Sequence, residues 1–174
     1  MTQPDITETL HGIHFLRDLP HDLIAHLASV SQFVEFPPST VIFRQGDAAS
    51  TLYLVVLGNI SLEICAPGVG CKRILTVGQG DLLGWSPVLE HSRMTATARS
   101  LTKSQAIAMR GPQVLALCEQ NPQLGYEFMK RAARALAKRL NATRLQLLDV
   151  YGTQLPAASD ERPIDEQTTD TDTL

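Results

Sequence analysis

Gly78-Gln79-Gly80-Asp81-Leu82-Leu83-Gly84-Trp85-Ser86-Pro87, a short link, and then Ser92-Arg93-Met94-Thr95-Ala96-Thr97-Ala98 form the stretch around which the chain is arranged. Gly78, Gly80 and Gly84 lie close together, one arginine follows, and then a small and β-branched run. Glycine takes positive φ without strain and lets backbone N–H groups approach an anion closely. Arg93 adds a planar fork of donors that suits a phosphate. Small residues beside it leave room for a ligand. The stretch predicts a phosphate cassette between two strands. A glycine-rich turn beside one solvated arginine satisfies the same pattern.

On the N-terminal side of the cassette the texture is β. Phe33 to Phe36 alternates loosely, Pro37-Pro38 breaks the chain, and Val41-Ile42-Phe43 leads to a turn at Gln45-Gly46-Asp47. Leu52 to Leu57 predicts a buried strand, Gly58-Asn59 a tight hairpin turn, and Ile60 to Cys65 the returning strand. Pro67-Gly68-Val69-Gly70 predicts another turn before Lys72 to Val77. Ala96 to Ala98 and Gln105 to Met109 complete the set. Short strands closely punctuated by Gly, Pro and Asn indicate an all-β sandwich or barrel. No helices alternate with them, which argues against a parallel βαβ sheet.

Helices flank this β region. Residues 1–12 are polar and are expected to be loosely held. Phe15, Leu16, Leu19, Leu23, Ile24, Leu27 and Val30 are spaced by threes and fours, and Pro20 suits a first helical turn. After the strands, Gly111-Pro112 starts a short helix that ends near Asn121-Pro122. A long helix follows over 123–151. Tyr126, Met129, Ala133, Leu136, Leu140, Thr143, Leu147 and Val150 keep a heptad-like seam along it. A seam this long needs a partner, either the helix of a second subunit or the chain's own β-domain. It is narrower than the apolar stripe of an ordinary core helix, which predicts a homodimer through 123–151.

Lys130, Arg131, Arg134, Lys138, Arg139 and Arg144 lie on the polar side of this helix, against Glu127 and Asp149. A solvated face and an anionic partner both fit that pattern. Residues 152–174 have almost no apolar content and carry Asp160, Glu161, Asp165, Glu166, Asp170 and Asp172 against Arg162. That composition predicts a disordered acidic tail that either weakly screens the basic helix or does nothing.

Composition sets the outer limits. A chain of 174 residues with a 44% hydrophobic fraction suits one domain with a full core. Net charge of −3 argues against a protein dominated by nucleic-acid contacts. Cys65, Cys71 and Cys118 have no Cys-x-x-Cys spacing and are expected to be reduced thiols. The first residues lack a basic start and an apolar run, and no stretch is long and apolar enough for a membrane span, so a cytoplasmic protein is expected.

The order of helix, β region with a glycine–arginine cassette, short helix and long seam helix resembles the cyclic nucleotide-binding domain of the catabolite activator and FNR-type bacterial regulators. Phe15-Leu16-Arg17-Asp18-Leu19-Pro20 is similar to the family's opening. Phe43-Arg44-Gln45-Gly46-Asp47, followed by Leu52-Tyr53-Leu54-Val55 and Gly58, resembles its glycine-turn signature. Gly80-Asp81-Leu82-Leu83-Gly84 resembles the run into its phosphate cassette, and Arg93 sits at its phosphate-binding arginine. The resemblance implies a mainly β fold with flanking helices: a jelly-roll-like β-roll (double-stranded β-helix), a short helix and a long C-terminal dimerisation helix, all within residues 13–151.

In members that bind cyclic AMP, a glutamate follows the cassette glycine and accepts from the ribose hydroxyl. Here Trp85 stands at that position and Met94 follows the arginine. Indole has one donor and no acceptor, so the anion half of the site is kept and the sugar half is altered. Thr143 falls where the family's long-helix threonine touches the adenine, and a threonine simply tolerated in the seam fits as well. The ligand-binding candidates implied are Gly84, Trp85, Ser86, Arg93, Met94, Thr95 and Thr143. The ligand classes implied are cyclic AMP, cyclic GMP or another phosphate-containing molecule.

Transcriptional members continue from the long helix into a helix-turn-helix domain. The sequence in hand has only the acidic tail there, so the expectation is a sensor domain that signals through an effector protein and has no sequence-specific DNA binding of its own. A degenerate dimerisation or interaction module is the alternative. An enzyme is not expected. His11, His14, His21 and His26 cluster before and in the first helix, no strand carries a His-x-His pair, and no serine or cysteine sits in a nucleophile elbow. A haem sensor on this fold would take its axial ligand from Cys65, Cys71 or His91.

Overall fold

The computed structural model describes residues 5–89 and 93–151. Among the described residues, eight strands form two four-stranded antiparallel sheets. One has the order β1 (Ser31–Phe36), β8 (Ser104–Arg110), β3 (Thr51–Leu57), β6 (Leu82–Leu83). The other has the order β2 (Val41–Phe43), β7 (Thr97–Ser100), β4 (Ile60–Ala66), β5 (Gly70–Val77). Among the described residues, four α-helices flank them: α1 (Ile6–Gly12), α2 (His21–Ala28), α3 (Gly111–Gln120) and α4 (Pro122–Tyr151). The mainly β roll with a short helix and a long C-terminal helix matches the expected fold class.

The apolar run in β3 is continuous because this strand serves two cores. Successive side chains on a strand point to opposite faces. Leu52 and Leu54 join the larger cluster, beneath the helices, with Leu23, Ile24, Leu27, Ile107 and Phe128. Tyr53 and Val55 face the smaller cluster inside the roll, with Ile60, Val77, Leu83 and Ala98. β6 divides in the same way, Leu82 to the larger core and Leu83 to the smaller. Tyr53 is opposite Ala108 and Val55 is opposite Ala106. Phe36 and Phe43 meet the Tyr53 ring at centroid distances of 5.9 and 6.3 Å. Burial raises the Tyr53 phenol above its ordinary pKa.

Gly58-Asn59 differs from expectation. β3 and β4 belong to different sheets, so the turn moves the chain across the roll instead of closing a hairpin. Gly58 has φ +92°, and a Cβ there would stand 2.4 Å from Ser104 Oγ and 2.7 Å from the Lys103 carbonyl. The Asn59 carbonyl then accepts from Leu101 N–H at 2.8 Å. The glycine signal marked a crossing packed against the 101–104 turn.

The N-terminal segment also differs. Residues 6–12, expected to be loosely held, form α1, with Asp5 accepting from Thr7 N–H at 2.7 Å as its N-cap. Leu10 is fully buried in the larger core and Ile6 packs against it, and these contacts outweigh the polar composition around them. Pro20 caps α2, whose Leu23, Ile24 and Leu27 are buried, in line with the periodicity. Cys65 and Cys71 are paired across the β4–β5 hairpin and joined as a disulfide, which corrects the expectation of reduced thiols. The hairpin register sets the two side by side, a placement that spacing alone does not reveal. Cys118 is free, and burial together with Glu119 raises its thiol pKa.

α4 packs on its own domain through Leu124, Phe128 and Ala132, with the Phe128 ring edge-on to Phe15 at 5.5 Å. The heptad seam is a different stripe. Met129 touches the core, whereas Tyr126, Leu140, Leu147 and Val150 stay 65%, 52%, 50% and 67% exposed. The chain's own β-domain therefore does not cover the C-terminal half of the seam. Residues 1–4 and the acidic segment 152–174 lie outside the described residues.

Candidate functional site

Gly84 follows β6 and turns the chain toward a short 3-10 helix, Ser86–Val88. Its φ is +72°, and a Cβ there would lie 3.1 Å from the Thr51 carbonyl and 3.5 Å from the Phe43 ring. The backbone of β3 runs beside it, so a glycine is required here by chain packing as well as by any bound anion. Trp85 is the N-cap of the 3-10 helix and packs, partly buried, against the larger core. Ser86 is 2% exposed and opens the 3-10 helix.

Arg93 and Met94 approach from the other side of the link. Ala48 and Arg93 form an isolated antiparallel bridge. Met94 N–H donates to the Asp47 carbonyl at 2.8 Å, and Gly46 N–H donates to the Met94 carbonyl at 2.8 Å. Gln45 N–H donates to Thr97 Oγ1 at 3.0 Å. The Gln45-Gly46-Asp47 turn is thus clamped to residues 93–97. Arg93 is exposed, and its Nη1 donates to the Gly46 carbonyl at 2.7 Å. Met94 is buried and Thr95 is exposed. Thr143 is exposed on α4, where its hydroxyl donates to the Arg139 carbonyl at 3.0 Å. The middle of the cassette link, including His91 and Ser92, lies outside the described residues.

The two halves of the candidate site rest on separate supports, β3 for Gly84 and the 45–48 turn for Arg93. One arm of the guanidinium is held by a main-chain carbonyl, which orients its plane. Arginine has five donors in a fixed fork, so one such contact leaves donors for a phosphate oxygen.

Another concavity lies elsewhere. A cleft of about 630 Å³ opens between α4, the β5–β6 connection and the segment around His14 to Asp18. None of Gly84, Trp85, Ser86, Arg93, Met94, Thr95 or Thr143 lines it. Arg17, Lys130, Arg131, Arg134, Lys138 and Arg139 do, with Asp18, Asp81 and Glu127 among them. Arg131 bonds to Glu127 and donates to the Arg17 carbonyl at 2.9 Å. Arg139 donates to the Leu82 carbonyl, and burial works against its charge while Asp81 supports it. The basic helix face was legible in the sequence. The contribution of Arg17, Asp18 and Asp81 to the same cleft was not, because nothing local links these segments.

The model of the family described as cyclic nucleotide-binding domain matches residues 33–121. A CRP-like cAMP-activated global transcriptional regulator of Mycobacterium tuberculosis is 27% identical over 134 residues, covering 76% of this chain and 58% of that protein. The cyclic AMP receptor protein of Thermus thermophilus is 29% identical over 112 residues, covering 64% of this chain and 50% of that one. The chain spans less than two thirds of the length of these relatives. Among solved structures, the Thermus thermophilus catabolite activator protein superposes with a TM-score of 0.64 at 26% identity, covering 79% of this chain and 62% of that chain. A cyclic nucleotide-binding domain from Methylobacillus flagellatus shares the fold, with a TM-score of 0.71 at 18% identity, covering 90% of this chain and 85% of that one.

Proposed function

The chain belongs to the cyclic nucleotide-binding domain family, and from that premise we propose that it is a dimeric regulatory sensor that takes a phosphate-bearing ligand between Gly84 and Arg93 and signals through a partner protein. The observation that carries the reading is the placement of Arg93. It is exposed, fixed by the bridge to Ala48, and held by one arm on the Gly46 carbonyl at 2.7 Å. The proposed role of Arg93 is to pair with the phosphate, and of Gly84 to let the backbone approach it. The exposed seam around Leu140 and Leu147 supports the dimer.

Cyclic AMP is the weaker candidate in this reading. The glutamate that would accept from a ribose hydroxyl is replaced by Trp85, which packs against the larger core. Loss of a charge-assisted acceptor costs about 1.5–3 kcal/mol, roughly a tenfold to hundredfold loss of affinity. The same observation favours a second reading, a dimerisation module that binds no nucleotide.

Calorimetric titration of unmutated, Arg93→Ala and Trp85→Glu proteins with cyclic AMP and cyclic GMP separates these. The expected result is weak binding that Arg93→Ala abolishes and Trp85→Glu strengthens. Micromolar or tighter cyclic AMP binding by the unmutated protein contradicts the assigned effect of Trp85. Binding that ignores Arg93→Ala removes the cassette from the account. No binding by any of the three selects the dimerisation module.

A further inference from the structure

The cleft beneath α4 combines an open, ligand-sized volume with uncompensated charge. Six cations and three carboxylates line it, a net of three positive charges without counting His14. The cations are not equivalent. Arg131 and Arg139 are committed to Glu127 and to main-chain carbonyls. Lys130 lies 3.9 Å from Glu127 and over the Tyr126 ring. The side chains of Arg17, Arg134 and Lys138 make no ion pair or hydrogen bond among the described residues, and Arg134 acts on Glu127 only through its charge. Arg134 and Lys138 are exposed, four residues apart on one face of α4, and Arg17 comes from the N-terminal segment.

We propose that this cleft is a second anion site, separate from the cassette, for a small soluble molecule that carries a polyphosphate chain. The charge count sets the ligand class. A cyclic mononucleotide brings one negative charge, whereas three unpaired cations call for a ligand with about as many, which is the charge of a di- or triphosphate. A volume of about 630 Å³ falls in the range of ordinary ligand pockets. The wall is apolar at Leu75, Ala135 and Ala142, so the cleft has one side for phosphates and one for an uncharged group.

The position suits a regulatory ligand. Arg134 and Lys138 lie two residues from Leu136 and Leu140, which turns them about 200° around the helix from the seam. A dimer along the seam leaves the cleft open. Arg139 bonds α4 to the Leu82 carbonyl, two residues before Gly84, so a ligand in the cleft sits against the connection between long helix and cassette.

The test is calorimetric titration of the full chain at low salt with two probes, inorganic tripolyphosphate and ATP without a divalent cation. Both are expected to bind, with affinity that falls as salt rises. Equal affinities assign recognition to the phosphate chain alone, and tighter ATP binding assigns a contribution to the apolar wall. Arg134→Glu with Lys138→Glu is expected to weaken both probes by roughly tenfold or more per side chain. The milder Arg134→Gln with Lys138→Gln guards against an effect of charge reversal on folding, and circular dichroism checks the helix content of each. In an Arg93→Ala background both probes are expected still to bind and still to lose affinity with the cleft substitutions, so failure of the cassette and failure of the cleft remain distinct. The proposal is overturned if neither probe binds, if the cleft variants bind as the unmutated protein does, or if Arg93→Ala abolishes binding.

Discussion

Arg139 donates a guanidinium hydrogen bond to the main-chain carbonyl of Leu82, joining the long helix α4 to strand β6 two residues before Gly84. Arg139 therefore reaches into the sheet while Leu140, its neighbour, stays 52% exposed on the seam. One turn of α4 faces the roll, the basic cleft and the seam at once.

That contact predicts a stability effect. Arg139→Ala leaves the Leu82 carbonyl without its charged donor, and a hydrogen bond to a charged group contributes about 1.5–3 kcal/mol. The midpoint of urea unfolding should fall with an unchanged slope. A midpoint equal to that of the unmutated protein would show that the contact does not stabilise the fold.

The seam predicts association. The unmutated protein should scatter light as a dimer at tens of micromolar, roughly, above ordinary homodimer dissociation constants. Leu140→Glu or Leu147→Glu places a carboxylate against its symmetry mate and should halve the mass. A monomer for the unmutated protein would sink the dimer.

Glu127 predicts a pH dependence. The hydrogen bond from Arg131 holds its carboxyl below the ordinary value of 4.5, with further support from the charges of Arg131, Lys130 and Arg134. A depressed folded pKa means that the carboxylate's contribution is present above that ordinary value and is lost as pH falls through the folded one. Melting temperatures from about pH 6 down to pH 3 should fall more steeply for the unmutated protein than for Glu127→Gln. Parallel curves would show that this pair adds nothing to acid sensitivity.

Two glycine turns should respond unequally to alanine. Gly58 and Gly68 both have positive φ, +92° and +76°, but a Cβ at Gly58 meets Ser104 Oγ at 2.4 Å while one at Gly68 meets nothing within 4 Å. Gly68→Ala should cost only the backbone term, about 1–2 kcal/mol. Gly58→Ala should cost clearly more, because the 103–104 turn must move. Equal losses by denaturant unfolding would remove the close packing of that turn from the account.

Local pattern determined a good part of this protein. The threes-and-fours spacing of Leu23, Ile24 and Leu27 and of the α4 seam, and Pro20 and Pro112 at helix starts, marked helices close to where they lie. Short apolar runs between Gly and Pro turns marked the strands. These signals are legible because helix and strand periods are set by the chain within a few residues. The tertiary structure decided the rest. It sent β4 to the opposite sheet from β3, buried Leu10, joined Cys65 to Cys71, and set Trp85 against the larger core. It clamped Arg93 to Gly46 and brought Arg17 to the same cleft as Arg134. A periodic pattern tells a helix or strand which of its faces is apolar, but not which distant surface will cover that face. A row of cations on a helix likewise reads the same whether it meets bulk water or the wall of a cleft.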